Sequence, residues 1–186
     1  AILPGPFLNR SLLGFTDHDI AGVLFSSLAI LFLIMALKRA KEKEITFYSV
    51  WENDWSSLRG PMTYSILAGI SLGSYYLTWK GAPLLVFVLL IYAVVQYIMD
   101  HVRGKSTDYL CIVGIPVFLI ALVMIAHVLH PGALVQFHVI SLGLGMLVFG
   151  FLSAVSFLMH TRKIDLYGYP IAIVTLGILS FVLLRV

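Results

Sequence analysis

A short polar segment near the start of the chain carries residue types that bind metal ions. Asp17 and Asp19 are separated by one residue, Arg10 lies seven positions before Asp17, and a long apolar run begins at Ile20. Carboxylate oxygens are hard ligands that suit Mg²⁺ or Mn²⁺. A divalent ion held in this way neutralises negative charge that develops on a phosphate leaving group. The spacing therefore makes Asp17 and Asp19 candidate metal ligands.

The same segment also fits a purely structural interpretation. Thr16 and Asp19 match the Ser/Thr-x-x-Asp/Glu pattern that precedes a helix, in which Thr16 caps the first turn. Both acids would then favour the positive end of the helix dipole. The two interpretations are compatible, because a capped helix start holds its carboxylates in place, and the spacing alone does not decide between them.

Composition identifies the chain as an integral membrane protein. Of its 186 residues 60% are hydrophobic and only 11% are charged, and the mean hydropathy is +1.00. These values exclude an ordinary soluble domain. The single cysteine, Cys111, excludes an intramolecular disulfide. In a membrane protein the position of basic residues matters more than the net charge of +3, so membrane lipids are expected partners and nucleic acid is not.

Six apolar stretches approach the roughly 20 residues that a helix needs to cross a bilayer. The predicted fold class is all-α, a polytopic transmembrane helix bundle of about six spans. An extracytoplasmic segment, 1–19, carries the acidic motif and precedes a transmembrane region over 20–186. An interfacial cytoplasmic loop, 38–61, begins with a charged run that we interpret as a solvated helix end and continues with aromatic residues. The spans lie near 20–37, 62–79, 82–99, 109–129, 136–159 and 166–185.

The distribution of Lys and Arg predicts the orientation of these spans. If the amino terminus is extracytoplasmic, nine of the twelve basic residues fall in cytoplasmic loops and three fall outside. An excess of this kind marks the cytoplasmic side. The three outside are Arg10, Lys80 and Arg185. The acidic motif is therefore expected on the extracytoplasmic face.

Two other groups of residues stand out within the spans. Gly69 and Gly73 have the four-residue spacing that lets a second helix approach closely. His127, His130 and His138 lie near the outer ends of two spans and are a candidate transition-metal group. No carboxylate or thiolate accompanies these histidines, and Pro131 interrupts the helix between them. They keep open the alternative of a transporter or metal-ion carrier.

Two sequence motifs give the chain a family resemblance. The run NRSLLGFTDHD at 9–19, followed by a span and then by LTWKGA at 77–82, resembles the catalytic subunit of oligosaccharyltransferase, especially the single-subunit archaeal and bacterial type. The resemblance implies a GT-C membrane glycosyltransferase. Such an enzyme transfers a glycan from a lipid-linked donor to asparagine in Asn-x-Ser/Thr acceptors on the extracytoplasmic side of the cell membrane.

The resemblance also assigns roles by position. Asp17 corresponds to a catalytic metal ligand, and Asp19 to a further ligand or its water-mediated neighbour. Arg10 resembles the catalytic arginine that helps to hold the reactive site and the acceptor asparagine. Mg²⁺ or Mn²⁺ is the implied cofactor. Three residues of the second motif match positions of structural importance in the family, namely Thr78, Trp79 and Gly81.

The resemblance further implies that the chain is a central fragment. Its spans correspond to roughly the fourth to ninth of the family's thirteen. The family's first external acid, its glutamate motif and its soluble Trp-Trp-Asp domain are not in this sequence. The isolated chain is therefore expected to be inactive. Another GT-C enzyme that uses a polyprenyl-phosphate sugar, and a non-catalytic membrane scaffold, are further alternatives.

Overall fold

A computed structural model describes residues 18–128 and 133–161, together with residues 168, 169, 173 and 175. These described residues form helices and short connections, with no strand among them, which confirms the all-α prediction for this part of the chain. The helices are α1 His18–Glu42, α2 Phe47–Trp51, α3 Trp55–Thr78, α4 Pro83–Val102, α5 Asp108–Val128 and α6 Ala133–Thr161.

Four helices are long and apolar enough to cross a membrane. They are α1, α4, α5 and α6, over Ile20–Glu42, Pro83–Val102, Asp108–Val128 and Gln136–Met159. The prediction of a multi-pass helical membrane protein is confirmed at this level. Helix α3 covers the predicted span 62–79 but carries more Ser, Thr, Tyr and Gly, and it is not one of the four. The predicted span 166–185 lies almost wholly outside the described residues.

Helices α3 and α5 form the centre of the bundle. In packing order the helices run α1, α3, α5, α6 and α4. Helix α4 packs mainly on α6 and not on α3, although a short turn joins it to α3. Helix α5 is buried on several faces, since consecutive residues such as Cys111, Ile112 and Val113 are all buried. The apolar outer surface, with Leu84, Phe87 and Leu147 exposed, is what contact with lipid requires.

The ends of α4 follow directly from its sequence. Pro83 occupies the first turn, where its missing amide hydrogen is not needed. At the other end Gly104 has φ +66, its amide donates to the His101 carbonyl at 2.9 Å, and the Lys105 amide donates to the Asp100 carbonyl at 2.9 Å. Glycine adopts this left-handed conformation without strain. The loop from Gly104 to α5 is thereby fixed against the end of α4.

The predicted interfacial loop 38–61 is mostly helical. Helix α1 continues to Glu42 and α3 begins at Trp55, so only the short α2 and its connections lie between them. Trp51, the last residue of α2, is 90% exposed. The Phe47 amide donates to the Asp108 carboxylate at 3.2 Å, which joins α2 to the start of α5.

The glycine pair of α3 allows close packing against α5. A Cβ atom added at Gly69 would lie 2.8 Å from Ile120 Cβ and 2.9 Å from the Val117 carbonyl oxygen. At Gly73 it would lie 2.7 Å from Met124 Sδ and 3.3 Å from Ala121 Cα. The packing role predicted from the glycine spacing is therefore confirmed.

Gly69→Ala should destabilise the bundle by about 1–3 kcal/mol, because the Val117 backbone cannot move away without separating two helices. Stability can be followed as the onset of labelling at the buried Cys111 by a maleimide dye, in a protein in which it is the sole cysteine. Gly60→Ala in the same helix is the matched control, since a Cβ there meets nothing within 4 Å. A Gly69→Ala protein as stable as the control would show that the close contact is unimportant.

Candidate functional site

The acidic motif lies at the amino-terminal end of α1. This helix begins at His18, so Asp17 immediately precedes it and Asp19 lies in its first turn. Arg10 and Asp17 fall outside the described residues, as does the side chain of Asp19. The helix start carries partial positive charge and favours nearby carboxylates. The roles of Arg10, Asp17 and Asp19 remain predictions.

The carboxyl-terminal end of α3 lies beside the start of α1. A Cβ atom added at Gly22, three residues after Asp19, would be 3.7 Å from Tyr75 Cε2. Tyr75 is in the last turn of α3, so the two helices are antiparallel here. The turn after α3, which contains the second motif, is therefore at the same end of the bundle as the start of α1.

The turn after α3 is closely packed. The Thr78 hydroxyl donates to the Tyr75 carbonyl at 2.9 Å, and the rings of Tyr75 and Trp79 are 5.8 Å apart. A Cβ atom added at Gly81 would lie 2.7 Å from the Trp79 indole, so only glycine permits this position of the ring. Thr78, Trp79 and Gly81 thus have local structural contacts, as the resemblance implied.

Helix α6 is tied to the same end through Tyr76. The Tyr76 hydroxyl and Ser141 Oγ are 2.8 Å apart, and Ser141 Oγ donates to the His138 carbonyl at 2.8 Å. The imidazole of His138 lies edge-on to Tyr76, with ring centroids 5.0 Å apart, and its Nε2 is 3.3 Å from the Lys80 carbonyl oxygen. Hydrogen bonds and a ring contact therefore join α3, α6 and the turn after α3 at the end of the bundle where α1 begins.

The histidine group does not assemble into a metal site in the described part of the chain. His138 is buried and packed against Tyr76, whereas His127 is exposed at the end of α5. His130 lies outside the described residues. Among the residues that the structure describes, no three His, Cys, Asp or Glu side chains are grouped so as to hold a metal ion. The described geometry gives the transporter alternative no support.

The opposite end of the bundle contains a buried ionic network that sequence analysis missed. Asp100 has no exposed surface and accepts hydrogen bonds from Lys41 Nζ at 2.8 Å, from Gln96 Nε2 at 2.8 Å and from the Tyr109 hydroxyl. The charged run is an exposed helix end, as interpreted, with the Lys38 side chain 74% exposed. What the interpretation missed is that Lys41, 39% exposed, is also paired with the buried Asp100. The only sequence signal was an acid at the end of an apolar run.

Comparison with protein families matches almost the whole chain. The family described as oligosaccharyl transferase STT3, N-terminal, matches residues 1–184. The dolichyl-monophosphooligosaccharide–protein glycotransferase AglB of Haloferax volcanii is 34% identical over 132 residues, which is 70% of this chain and 12% of that protein. The dolichyl-phosphooligosaccharide-protein glycotransferase 3 of Archaeoglobus fulgidus is 26% identical over 121 residues, 65% of this chain and 13% of that protein.

Two solved structures share the fold. The archaeal oligosaccharyltransferase AglB from Archaeoglobus fulgidus, in complex with an inhibitory peptide and a dolichol-phosphate, superposes with a TM-score of 0.81 and 20% identity over 100% of this chain and 22% of its own. A crystal structure of the Archaeoglobus fulgidus oligosaccharyltransferase with Zn and sulfate gives 0.78 and 21% over 99% of this chain and 23% of its own. The chain thus spans under a quarter of each relative.

Proposed function

The chain belongs to the oligosaccharyl transferase STT3, N-terminal, family, and from this premise we propose that it forms part of the membrane region of an enzyme that transfers a glycan to asparagine in Asn-x-Ser/Thr acceptors. The observation that carries the proposal is the family match over residues 1–184, which includes the acidic motif. The activity belongs to the protein that contains this chain, because the relatives are several times longer. The chain alone is expected to be inactive.

A lipid-linked donor and a peptide acceptor fit the relatives. The Haloferax volcanii relative is named as a glycotransferase of dolichyl-linked oligosaccharide and protein. The AglB structure with the same fold holds a peptide and a dolichol-phosphate. By inference, the protein that contains this chain binds a lipid-linked oligosaccharide and an acceptor polypeptide in the same way.

We further propose that Asp17 and Asp19 hold Mg²⁺ or Mn²⁺ at the start of α1. The donor set suits such an ion, since both residues offer carboxylate oxygens at one helix end. When bound, the ion would neutralise charge on the departing lipid phosphate. Arg10 would supply a fixed positive charge that helps to orient the acceptor amide and the reacting groups.

The active face is proposed to be extracytoplasmic. Lys41, near the end of α1, is bonded to Asp100, near the end of α4, so the basic residues that flank these two helix ends gather at one end of the bundle. Among the described residues that end also carries Lys43, Arg103 and Lys105. The acidic motif is at the other end, and the positive-inside rule then favours the extracytoplasmic side for it.

Asp19→Ala in the full-length protein should reduce the rate of peptide glycosylation about tenfold at limiting metal, a smaller loss than that expected for Asp17→Ala. Added Mn²⁺ should restore much of the rate. The reason is that a removed ligand weakens ion binding while Asp17 still holds the ion. The measurement is transfer of glycan from a purified lipid-linked donor to an Asn-x-Thr peptide, at several metal concentrations.

A Gln-x-Thr peptide is the matched negative control for the acceptor. An Asp19→Ala defect that metal cannot correct would contradict the ligand role of Asp19. Wild-type protein that glycosylates lipid or sugar acceptors but never the Asn-x-Thr peptide would overturn the proposed function in favour of another GT-C transferase.

A further inference from the structure

The end of the bundle opposite the acidic motif contains a cavity of about 400 Å³. It lies between the end of α1, the connection to α2, and the loop between α4 and α5. Lysine ammonium and hydroxyl groups line it, from Lys41, Thr46, Lys105, Ser106 and Tyr109, together with the carboxylate of Glu44. We propose that this cavity binds the phosphate group of an anionic lipid headgroup.

Lys41 is held in place at the inner wall of the cavity. Its Nζ donates to Asp100 Oδ1 at 2.8 Å, and the ammonium lies 5.7 Å from the centre of the Tyr109 ring. An ammonium group has three hydrogen atoms to donate, so the bond to Asp100 leaves donors available to a second anion. The partly exposed Lys41 is therefore pre-positioned. Because Asp100 already restricts the lysine side chain, binding an anion would cost little further side-chain entropy.

The second positive charge comes from the loop after α4. Lys105 is exposed, and its backbone amide is fixed to the Asp100 carbonyl at 2.9 Å. Gly104 before it has no side chain to narrow the entrance, and a Cβ there would meet nothing within 4 Å. Glu44 and the Asp100 carboxylate offset the charges of the two lysines, so the phosphate oxygens would be held by hydrogen bonds from the two ammonium groups and from the Ser106 and Thr46 hydroxyls.

The position of the cavity favours a lipid over a soluble anion. It lies where two membrane-crossing helices end, near Lys41 and Val102. The adjoining α2 exposes Tyr48 and Trp51, and such aromatic side chains are typical of headgroup depth. Basic residues at this depth attract anionic lipids, with about 1 kcal/mol per side chain. This inference does not rest on the proposed glycan transfer.

Native mass spectrometry of the full-length protein with phosphatidylglycerol tests the site. Wild type should retain one tightly held phosphatidylglycerol, and Lys105→Gln should weaken its binding about fivefold, because it removes one of the two ammonium groups that line the cavity. Lys105 is the informative position, because its replacement leaves the Lys41–Asp100 pair intact. Lys38→Gln is the matched control, since Lys38 is exposed on the last turns of α1 and does not line the cavity, and it should change nothing.

Three outcomes would overturn the proposal. Equal weakening by Lys38→Gln and Lys105→Gln would show only general attraction to a basic surface. Absence of any discrete phosphatidylglycerol on wild type would show that the cavity is not a lipid site. Saturable binding of inorganic phosphate that depends on Lys105, without lipid retention, would assign the cavity to a soluble phosphate.

Discussion

Replacing Asp17 with alanine in the full-length protein is expected to abolish glycosylation of an Asn-x-Thr peptide, to below about a thousandth of the wild-type rate. A metal ion that neutralises leaving-group charge contributes several kcal/mol to the transition state, and each 1.4 kcal/mol is about tenfold in rate. Asp17 lies before the apolar run that begins at Ile20, so the substitution leaves every predicted membrane-spanning stretch unchanged. The variant should therefore fold, and it should purify in detergent like wild type.

The control for Asp17→Ala is Glu52→Ala. Glu52 is an exposed carboxylate that follows α2, at the end of the bundle opposite the acidic motif, and its loss should leave transfer unchanged. Equilibrium binding of Mn²⁺ gives a second measurement that does not depend on activity, and Asp17→Ala should lose it. Near-normal transfer by Asp17→Ala would remove the basis for the metal assignment at this motif.

The membrane helices were predictable because their signal is local. A run of apolar residues long enough to cross the bilayer must satisfy its backbone hydrogen bonds within itself, and a helix is the available way to do so. Four of the predicted spans therefore match apolar helices. Helix α3 was predicted from the same signal although it is more polar. Its buried Ser65 and Ser71 donate to carbonyls of their own helix, and Tyr76 bonds to Ser141 of α6, so these polar groups have partners inside the bundle.

Pairwise contacts between helices were not predictable from this single sequence. Lys41 and Asp100 are separated by 59 residues, and no periodicity links two positions so far apart. The packing of α4 on α6 in preference to its neighbour α3 is equally non-local. The metal site at Asp17 and Asp19 could be hypothesised from the sequence because its ligand types lie within three residues, whereas the Asp100 network depends on which helix ends meet in the fold.

Asp100→Leu is expected to lower the free energy of unfolding by about 3 kcal/mol. The substitution removes the acceptor of three hydrogen bonds, from Lys41, Gln96 and Tyr109, and leaves a charged ammonium without its partner. Loss of one partner from a buried pair costs about 3–5 kcal/mol, and the lower end applies because Lys41 can still reach water. Dye labelling of Cys111 as a sole cysteine measures the change.

Two comparisons separate a buried ion pair from a general loss of charge. Lys38→Ala removes an exposed pair with Glu42, at 4.0 Å on the same helix, and should cost no more than about 0.5 kcal/mol. Adding Lys41→Met to Asp100→Leu should recover part of the stability, because the double variant no longer holds an unpaired charge beside apolar side chains. If Asp100→Leu alone is as stable as Lys38→Ala, the network contributes nothing to holding α1, α4 and α5 together. If the double variant is no more stable than Asp100→Leu, the loss of stability comes from the broken hydrogen bonds of Tyr109 and Gln96 and not from the unpaired Lys41.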